Sequence, residues 1–239
     1  MILKLGGSVL TDKSDEETLA EGFGDVIRTV ARRAPDDLVL VHGAGSFGHP
    51  HAARRGIDET TQSVEGAYET HAAVARLNRR VVGSLNERGV DAAPVHPLSC
   101  ARRDGEVQVC VEAVEALGDA GFLPVLHGDV VADGRGGASV LSGDELAVEV
   151  AVATEDDEVG MCTSSGGVLG SDGEALDRVT SGDDVAELDG AKRADVTGGI
   201  RGKVDRLLSL PSGGCVFGPD DVGAYLNGDD VGTLVRRRK

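Results

Sequence analysis

Lysine is scarce in this chain, five residues against 19 arginines. A composition that suppresses a residue type keeps it where it is hardest to replace. Three of the five lysines stand beside glycine-rich turns: Lys4 before Gly6-Gly7-Ser8, Lys13 in the loop just after it, and Lys203 after Gly198-Gly199 and Gly202. Glycine turns expose backbone N–H groups, and with an ammonium alongside a helix N-terminus they hold phosphate. Each site taken singly also fits an ordinary turn with a surface lysine. Asp195-Val196-Thr197-Gly198-Gly199 with Lys203 is more specific, since it joins two glycines and a hydroxyl to a basic group at helical spacing.

A second glycine loop, His42-Gly43-Ala44-Gly45-Ser46-Phe47-Gly48-His49-Pro50, follows the apolar run Leu38–Val41. It therefore stands at the carboxyl end of a strand, where open α/β sheets bind ligands. Three readings compete. Gly43-x-Gly45-x-x-Gly48 fits a dinucleotide loop, but Pro50 and the polar residues after it do not open a packed helix, and no acid follows at the required distance. Ala44-x-Ser46-x-Gly48 imitates a hydrolase elbow, which also needs a helix directly after its serine. The third reading is an anion nest of glycine amides, with the His49 imidazole on a phosphorylated substrate. A plain structural turn remains the bland alternative. Gly128-Asp129 and Ser142-Gly143-Asp144 follow strand-like segments on the same edge. A carboxylate there would orient lysines, or Asp144 would simply cap a helix.

The elements that must position these residues alternate. Short apolar strands are expected at Met1–Leu5, Leu38–Val41, Ala92–Val95, Phe122–Leu126, Glu158–Cys162, Gly214–Phe217 and Thr233–Val235. Helical periodicity runs from Glu16 toward Pro35 and over Val64–Leu85, Val111–Leu117, Asp144–Ala153, Arg201–Leu208 and Asp220–Leu226, with a hairpin turn at Gly134–Gly137. Strand, helix and strand in succession give right-handed βαβ units and a parallel sheet. No repeat or linker divides the chain, so a single domain over 1–239 is expected.

Composition narrows the function. The 239 residues hold 24 Lys+Arg and 41 Asp+Glu, a net charge of −17, with 40% apolar residues and no Trp. Nucleic-acid phosphates and anionic lipid would repel such a chain, and 3% aromatics leave no stacking platform for single strands. No apolar run approaches the ~20 residues of a membrane helix. Excess acid with little lysine is one way to stay soluble in concentrated salt, where screening removes self-repulsion, and a halophile cytoplasm is expected. Cys100, Cys110, Cys162 and Cys215 lack ligand-like spacing and are expected to be reduced, buried and inert.

Together the motifs Lys4-Leu5-Gly6-Gly7-Ser8, Thr11 to Lys13, Gly43 to His49, Gly128 to Val131, Ser142-Gly143-Asp144 and Asp195 to Lys203 resemble the amino acid kinase superfamily over nearly the whole chain. The histidine closing the second loop is similar to that of its isopentenyl phosphate and fosfomycin kinase branches. The resemblance implies an open αβα sandwich with a mainly parallel central sheet. Its acceptor-binding part would span about 1–140 and its nucleotide-binding part about 141–239. It also implies ATP with Mg2+, transfer of the γ-phosphoryl group to isopentenyl phosphate, and a homodimer; the alternative is another acid kinase, of the fosfomycin or acylamino-acid type. By the same resemblance Lys4 and Lys203 would stabilise the transferring group, and Gly6, Gly7, Ser8, Gly45, Thr163, Gly198 and Gly199 would contact ATP. Asp144 would hold the lysines, Ala44, Gly45, His49 and Gly128 would position the acceptor, and Lys13 would add charge. One departure stands out: where the family has an acidic Thr-Asp-x-Asp-Gly motif, this chain has Thr163-Ser164-Ser165-Gly166-Gly167. The alanines at 67, 72, 73 and 75 would leave room for a five-carbon tail or serve close helix packing.

Overall fold

The computed structural model describes residues 1–57, 61–156, 158–170, 173–186 and 199–238. Its first half runs β1 (Ile2–Leu5), α1 (Gly7–Leu10), α2 (Phe23–Arg33), β2 (Val39–His42), α3 (Gly45–Arg54), α4 (Val64–Asn86), β3 (Ala92–Pro94), α5 (Pro97–Cys100), β4 (Ala101–Asp104), β5 (Glu106–Val109) and α6 (Glu112–Asp119). The second half runs β6 (Leu123–His127), β7 (Asp129–Asp133), β8 (Ala138–Leu141), α7 (Gly143–Ala153), β9 (Val159–Cys162), β10 (Arg178–Val179), α8 (Asp183–Ala186), α9 (Gly199–Ser209), β11 (Gly214–Phe217), α10 (Val222–Leu226) and β12 (Thr233–Val235).

Strands β1, β2, β6 and β9 are buried at every position, the mark of strands covered on both faces. They form the middle of an eight-stranded sheet, β10-β12-β11-β9-β1-β2-β6-β3, parallel throughout except between β11 and β12. Successive side chains alternate between the faces. Leu3, Leu5 and Leu40 pack with the apolar stripes of α2, α4 and α10, while Ile2, Val41 and Met161 pack with α7 and α9. This is the expected αβα sandwich. A second sheet, β5-β4-β7-β8, lies beside α7 and is tied to it by Arg103, whose guanidinium pairs with Glu145 at 2.9 and 3.0 Å.

The strand ends matter most for function. Phe217, Cys162, Leu5, His42 and His127 are successive Cα partners across β11, β9, β1, β2 and β6. Five strands thus stop level, and the loops after them leave from one straight rim.

Three sequence expectations need correction. The helix expected from Glu16 starts at Phe23, because Asp12 N–H donates to Thr18 O and Ala20 N–H to Leu10 O, drawing residues 18–20 against the first loop. Residues 45–54 are helical despite Pro50. Proline deprives the Ser46 carbonyl of its helical donor, and Glu17 N–H from the first loop fills that place at 3.3 Å. Of the four cysteines expected to be buried, Cys162 is, Cys100 and Cys215 are half-buried and Cys110 is exposed, although all four are unbonded to one another. Among the described residues no helix is long and apolar enough to cross a membrane.

Candidate active site

The rim is built by one further step of the sheet's own hydrogen bonding. Thr163 N–H donates to Phe217 O, Gly6 N–H to Cys162 O, Gly43 N–H to Leu5 O and Gly128 N–H to His42 O, all within 2.8–2.9 Å. Beyond this row the first two glycine loops press backbone on backbone. A Cβ on Gly7 would lie 2.6 Å from Gly45 N and Cα, and one on Gly43 would lie 2.7 Å from Gly7 N. Thr11 locks them, its Oγ1 donating to Gly7 O at 2.8 Å and accepting from Ser46 N–H at 2.9 Å. The N-termini of α3, α7 and α9 all border the resulting cleft of about 820 Å3. The first amides of a helix have no partner inside it and carry partial positive charge, so the cleft suits anions.

Its charged centre is Asp144. Ser142 is the N-cap of α7, accepting from Glu145 N–H at 3.1 Å, so Asp144 is not the cap and its carboxylate is left for the cleft. Oδ2 accepts from Lys203 Nζ at 2.9 Å, and Oδ1 lies 2.6 Å from Lys4 Nζ in an ion pair without good hydrogen-bond alignment. Lys4, from the middle strand, is 4% exposed and Asp144 is 3% exposed. Burial works to raise the Asp144 pKa, but the two ammonium groups outweigh it and hold the group at about 2. Burial is the larger influence on Lys4, pulling its pKa below the ordinary value against the opposing pull of Asp144.

The other expected residues surround this pair. Gly6, Gly7, Ser8, Lys13, Ala44, Gly45, His49, Gly128, Thr163, Gly199 and Lys203 all line the same cleft, with Lys13 and His49 exposed on it. Ser8 Oγ and Ser164 Oγ meet at 2.9 Å, so the serine that replaces the family's acid at 164 closes one loop onto another. Gly198, with Asp195 and Thr197, lies outside the described residues. The small residues of α4 do not form the cleft wall: Thr70 and Val74 do, and Tyr68 points to solvent at 70% exposure. Close packing of α3 on α4 shows at Gly48, where a Cβ would meet Ala44 Cβ at 2.4 Å and Val74 Cγ2 at 2.9 Å. Ser46 is buried, its Oγ donating to Thr18 O, so it does not present the exposed nucleophile that a hydrolase elbow needs.

The family model described as the amino acid kinase family matches residues 1–215. An isopentenyl phosphate kinase of the halophile Haloferax volcanii is 44% identical over 99% of this chain and 98% of its own length. The chain belongs to the amino acid kinase family, in its isopentenyl phosphate kinase branch. A Methanothermobacter thermautotrophicus relative of the same name is 34% identical over 90% of this chain and 88% of its own. A solved X-ray structure of isopentenyl phosphate kinase superposes with a TM-score of 0.84 at 28% identity, over 98% of both chains. Kinase relatives along the full length make this chain a phosphotransferase that uses ATP on a small molecule.

Several polar residues that spacing alone did not single out lie next to the cleft. Asn78 and the histidines at 42, 71, 96 and 127 gather beneath the rim on the α4 side. The repeated pair His42-Gly43 and His127-Gly128, each after an apolar strand, is the signal that would have found two of them.

Proposed function

We propose that this kinase transfers the γ-phosphoryl group of ATP to the phosphate of isopentenyl phosphate, giving isopentenyl diphosphate. The observation that carries the transfer is Asp144 held between Lys4 and Lys203 on the floor of the cleft, and the names of the full-length relatives support the acceptor. A phosphate monoester has its second pKa near 6, so its attacking oxygen is already ionised at neutral pH and needs no base. The difficulty is to bring two phosphate anions together. Lys4 and Lys203 meet the charge spread over the transferring oxygens, and Asp144 keeps both aimed without acting as a base. Gly6, Gly7, Ser8, Gly45, Thr163, Gly198 and Gly199 serve ATP, while Ala44, Gly45, His49 and Gly128 hold the acceptor phosphate and Lys13 adds charge from its loop. The acceptor part is then about 1–140 and the nucleotide part about 141–239.

Mg2+ is expected to accompany ATP. Asp144 is saturated by two ammonium groups, and no cluster of His, Cys, Asp and Glu among the described residues would hold a metal. No step here runs through the ion. The unbonded cysteines support a reducing cytoplasm. A homodimer is part of the proposal and rests on the family resemblance.

The test is ATP consumption against isopentenyl phosphate, dimethylallyl phosphate, fosfomycin, acetylglutamate and UMP. The highest kcat/KM is expected with isopentenyl phosphate. A higher value with acetylglutamate would overturn the acceptor assignment.

A further inference from the structure

His42 and His127 have no part in the transfer itself, yet they are fully buried at the very ends of β2 and β6. They are cross-strand partners, with ring centroids 5.6 Å apart and planes 27° from parallel. Each turns its Nδ1 onto the carbonyl of the glycine that follows it, His42 to Gly43 O and His127 to Gly128 O, both at 3.0 Å. A carbonyl oxygen only accepts, so Nδ1 carries the proton in both rings.

The other ring nitrogens complete the arrangement. His127 Nε2 lies 2.9 Å from Nδ1 of the half-buried His96. His42 Nε2 lies 3.2 Å from Oδ1 of Asn78, whose buried NH2 has no partner among the described residues; two acceptors do not bond, so the amide is assigned turned over, with its NH2 toward Nε2. With Nδ1 protonated, a neutral ring offers Nε2 as an acceptor, which His96 N–H and the Asn78 NH2 serve. Burial lowers the pKa of both rings, His42 to about 3, and keeps them neutral. On the next residue, Asp129 accepts from His71 Nδ1 at 2.8 Å.

A trans peptide sets its N–H opposite its C=O. The bond that fixes Gly43 O thus also fixes Ala44 N–H, directed away from the imidazole at a residue that lines the cleft. The bond to Gly128 O fixes the next loop's peptide plane in the same manner.

We propose that His42 and His127 are positioning residues for the acceptor, setting the peptide planes of the Gly43 and Gly128 loops through their Nδ1–H bonds before the acceptor phosphate arrives. This rests on the reading that the acceptor phosphate sits at Ala44, Gly45, His49 and Gly128. Such preorganisation raises affinity by removing the cost of ordering the loops on binding.

Asparagine places an N–H near the position of Nδ1, whereas glutamine places it near Nε2. The test compares His42→Asn with His42→Gln, and His127→Asn with His127→Gln, by steady-state kinetics in molar KCl. The asparagine variants are expected to keep the KM for isopentenyl phosphate within about threefold, and the glutamine variants to raise it about tenfold or more with the KM for ATP unchanged. Equal effects of asparagine and glutamine, or parallel changes in both KM values, would overturn the proposal. Where these variants do not fold, His96→Ala withdraws only the donor to His127 Nε2; a selective rise in acceptor KM supports the proposal and an unchanged value overturns it. His49→Ala separates the two readings. If it leaves the acceptor KM unchanged, the acceptor site itself is misassigned; if it raises that KM and the glutamine variants do not, only the positioning role falls.

Discussion

Replacing Asp144 by Asn removes one charge at almost constant volume, at the one point where two ammonium groups meet. Lys4 is 4% exposed and lies 2.6 Å from the carboxylate, with Lys203 at 2.9 Å on the other oxygen. Removing one partner of a buried pair leaves an uncompensated charge and costs about 3–5 kcal/mol. At roughly 2–4 °C per kcal/mol for a chain of this size, the melting temperature should fall by on the order of 10 °C. The kcat should fall about 10²–10³-fold, the usual cost of losing one preorganised electrostatic contact. The pH dependence adds an independent reading. Burial already lowers the Lys4 pKa and Asp144 opposes that pull, so Asp144→Asn should move the alkaline limb of kcat to lower pH. At the acid end the sign is opposite. Asp144 is held at about 2 against an ordinary 3.8, so its stabilisation is present above the ordinary carboxylate value and is lost as pH falls through about 2. A depression of that size is worth about 2 kcal/mol, and the variant should lack this acid-induced loss. Adding Lys4→Met to Asp144→Asn should recover stability and not rate. A variant with an unmoved alkaline limb and an unchanged melting temperature would refute the idea that Asp144 holds Lys4 charged and in place.

The remaining expectations are read by simpler assays. Lys4→Ala and Lys203→Ala should each lower kcat about 10²–10³-fold while changing the acceptor KM far less; a change confined to KM would assign them to ground-state binding. His49→Ala should cut kcat/KM for isopentenyl phosphate about tenfold to a hundredfold, with ATP affinity by calorimetry barely altered. The melting temperature should rise with KCl toward 1 M, where the Debye length is about 3 Å, and a flat or falling curve would contradict the role given to the acidic surface. The kinetic cost of Lys13→Ala, an exposed position, should shrink as KCl rises, whereas that of Lys4→Ala should not.

Much of the rim was legible because strands and glycine turns announce themselves locally. Leu38–Val41 before His42-Gly43 and Phe122–Leu126 before His127-Gly128 need only an apolar run and a break. Gly214–Phe217 and Thr233–Val235 stand where their patterns put them. What failed depended on contacts distant in sequence. Nothing near Pro50 says that Glu17 N–H will take the carbonyl that proline orphans, and without that bond a helix over 45–54 reads as broken. The hairpin β4–β5, Ala101-Arg102-Arg103-Asp104 and Glu106-Val107-Gln108-Val109, is polar on most of its surface, and its partner β7 lies further along the chain. The pairing of Asp144 with both lysines joins β1, α7 and α9, three elements that only the folded sheet brings together. The position of Ser142-Gly143-Asp144 after a strand suggested a carboxylate that orients lysines, and the family resemblance named Lys4 and Lys203 as its partners.

A chain of net charge −17 must still gather two phosphate anions, and the fold meets this by separating charge according to depth. The acids are distributed over the surface, and their repulsion of ATP acts over distances that molar salt screens. Lys4 and Lys203 are largely enclosed and touch Asp144 within 3 Å. No ion atmosphere fits into that gap, and the low local dielectric strengthens what remains. Salt therefore removes the long-range penalty and leaves the short-range attraction, so an acidic exterior and a basic floor do not compete under the conditions that the composition implies. Of the three lysines on the cleft, Lys13 is the one exposed, and screening erodes its contribution together with that of the carboxylates. On the proposed reading the transfer chemistry falls to the buried Lys4 of β1 and the half-buried Lys203 of α9, and Lys13 acts chiefly when salt is low.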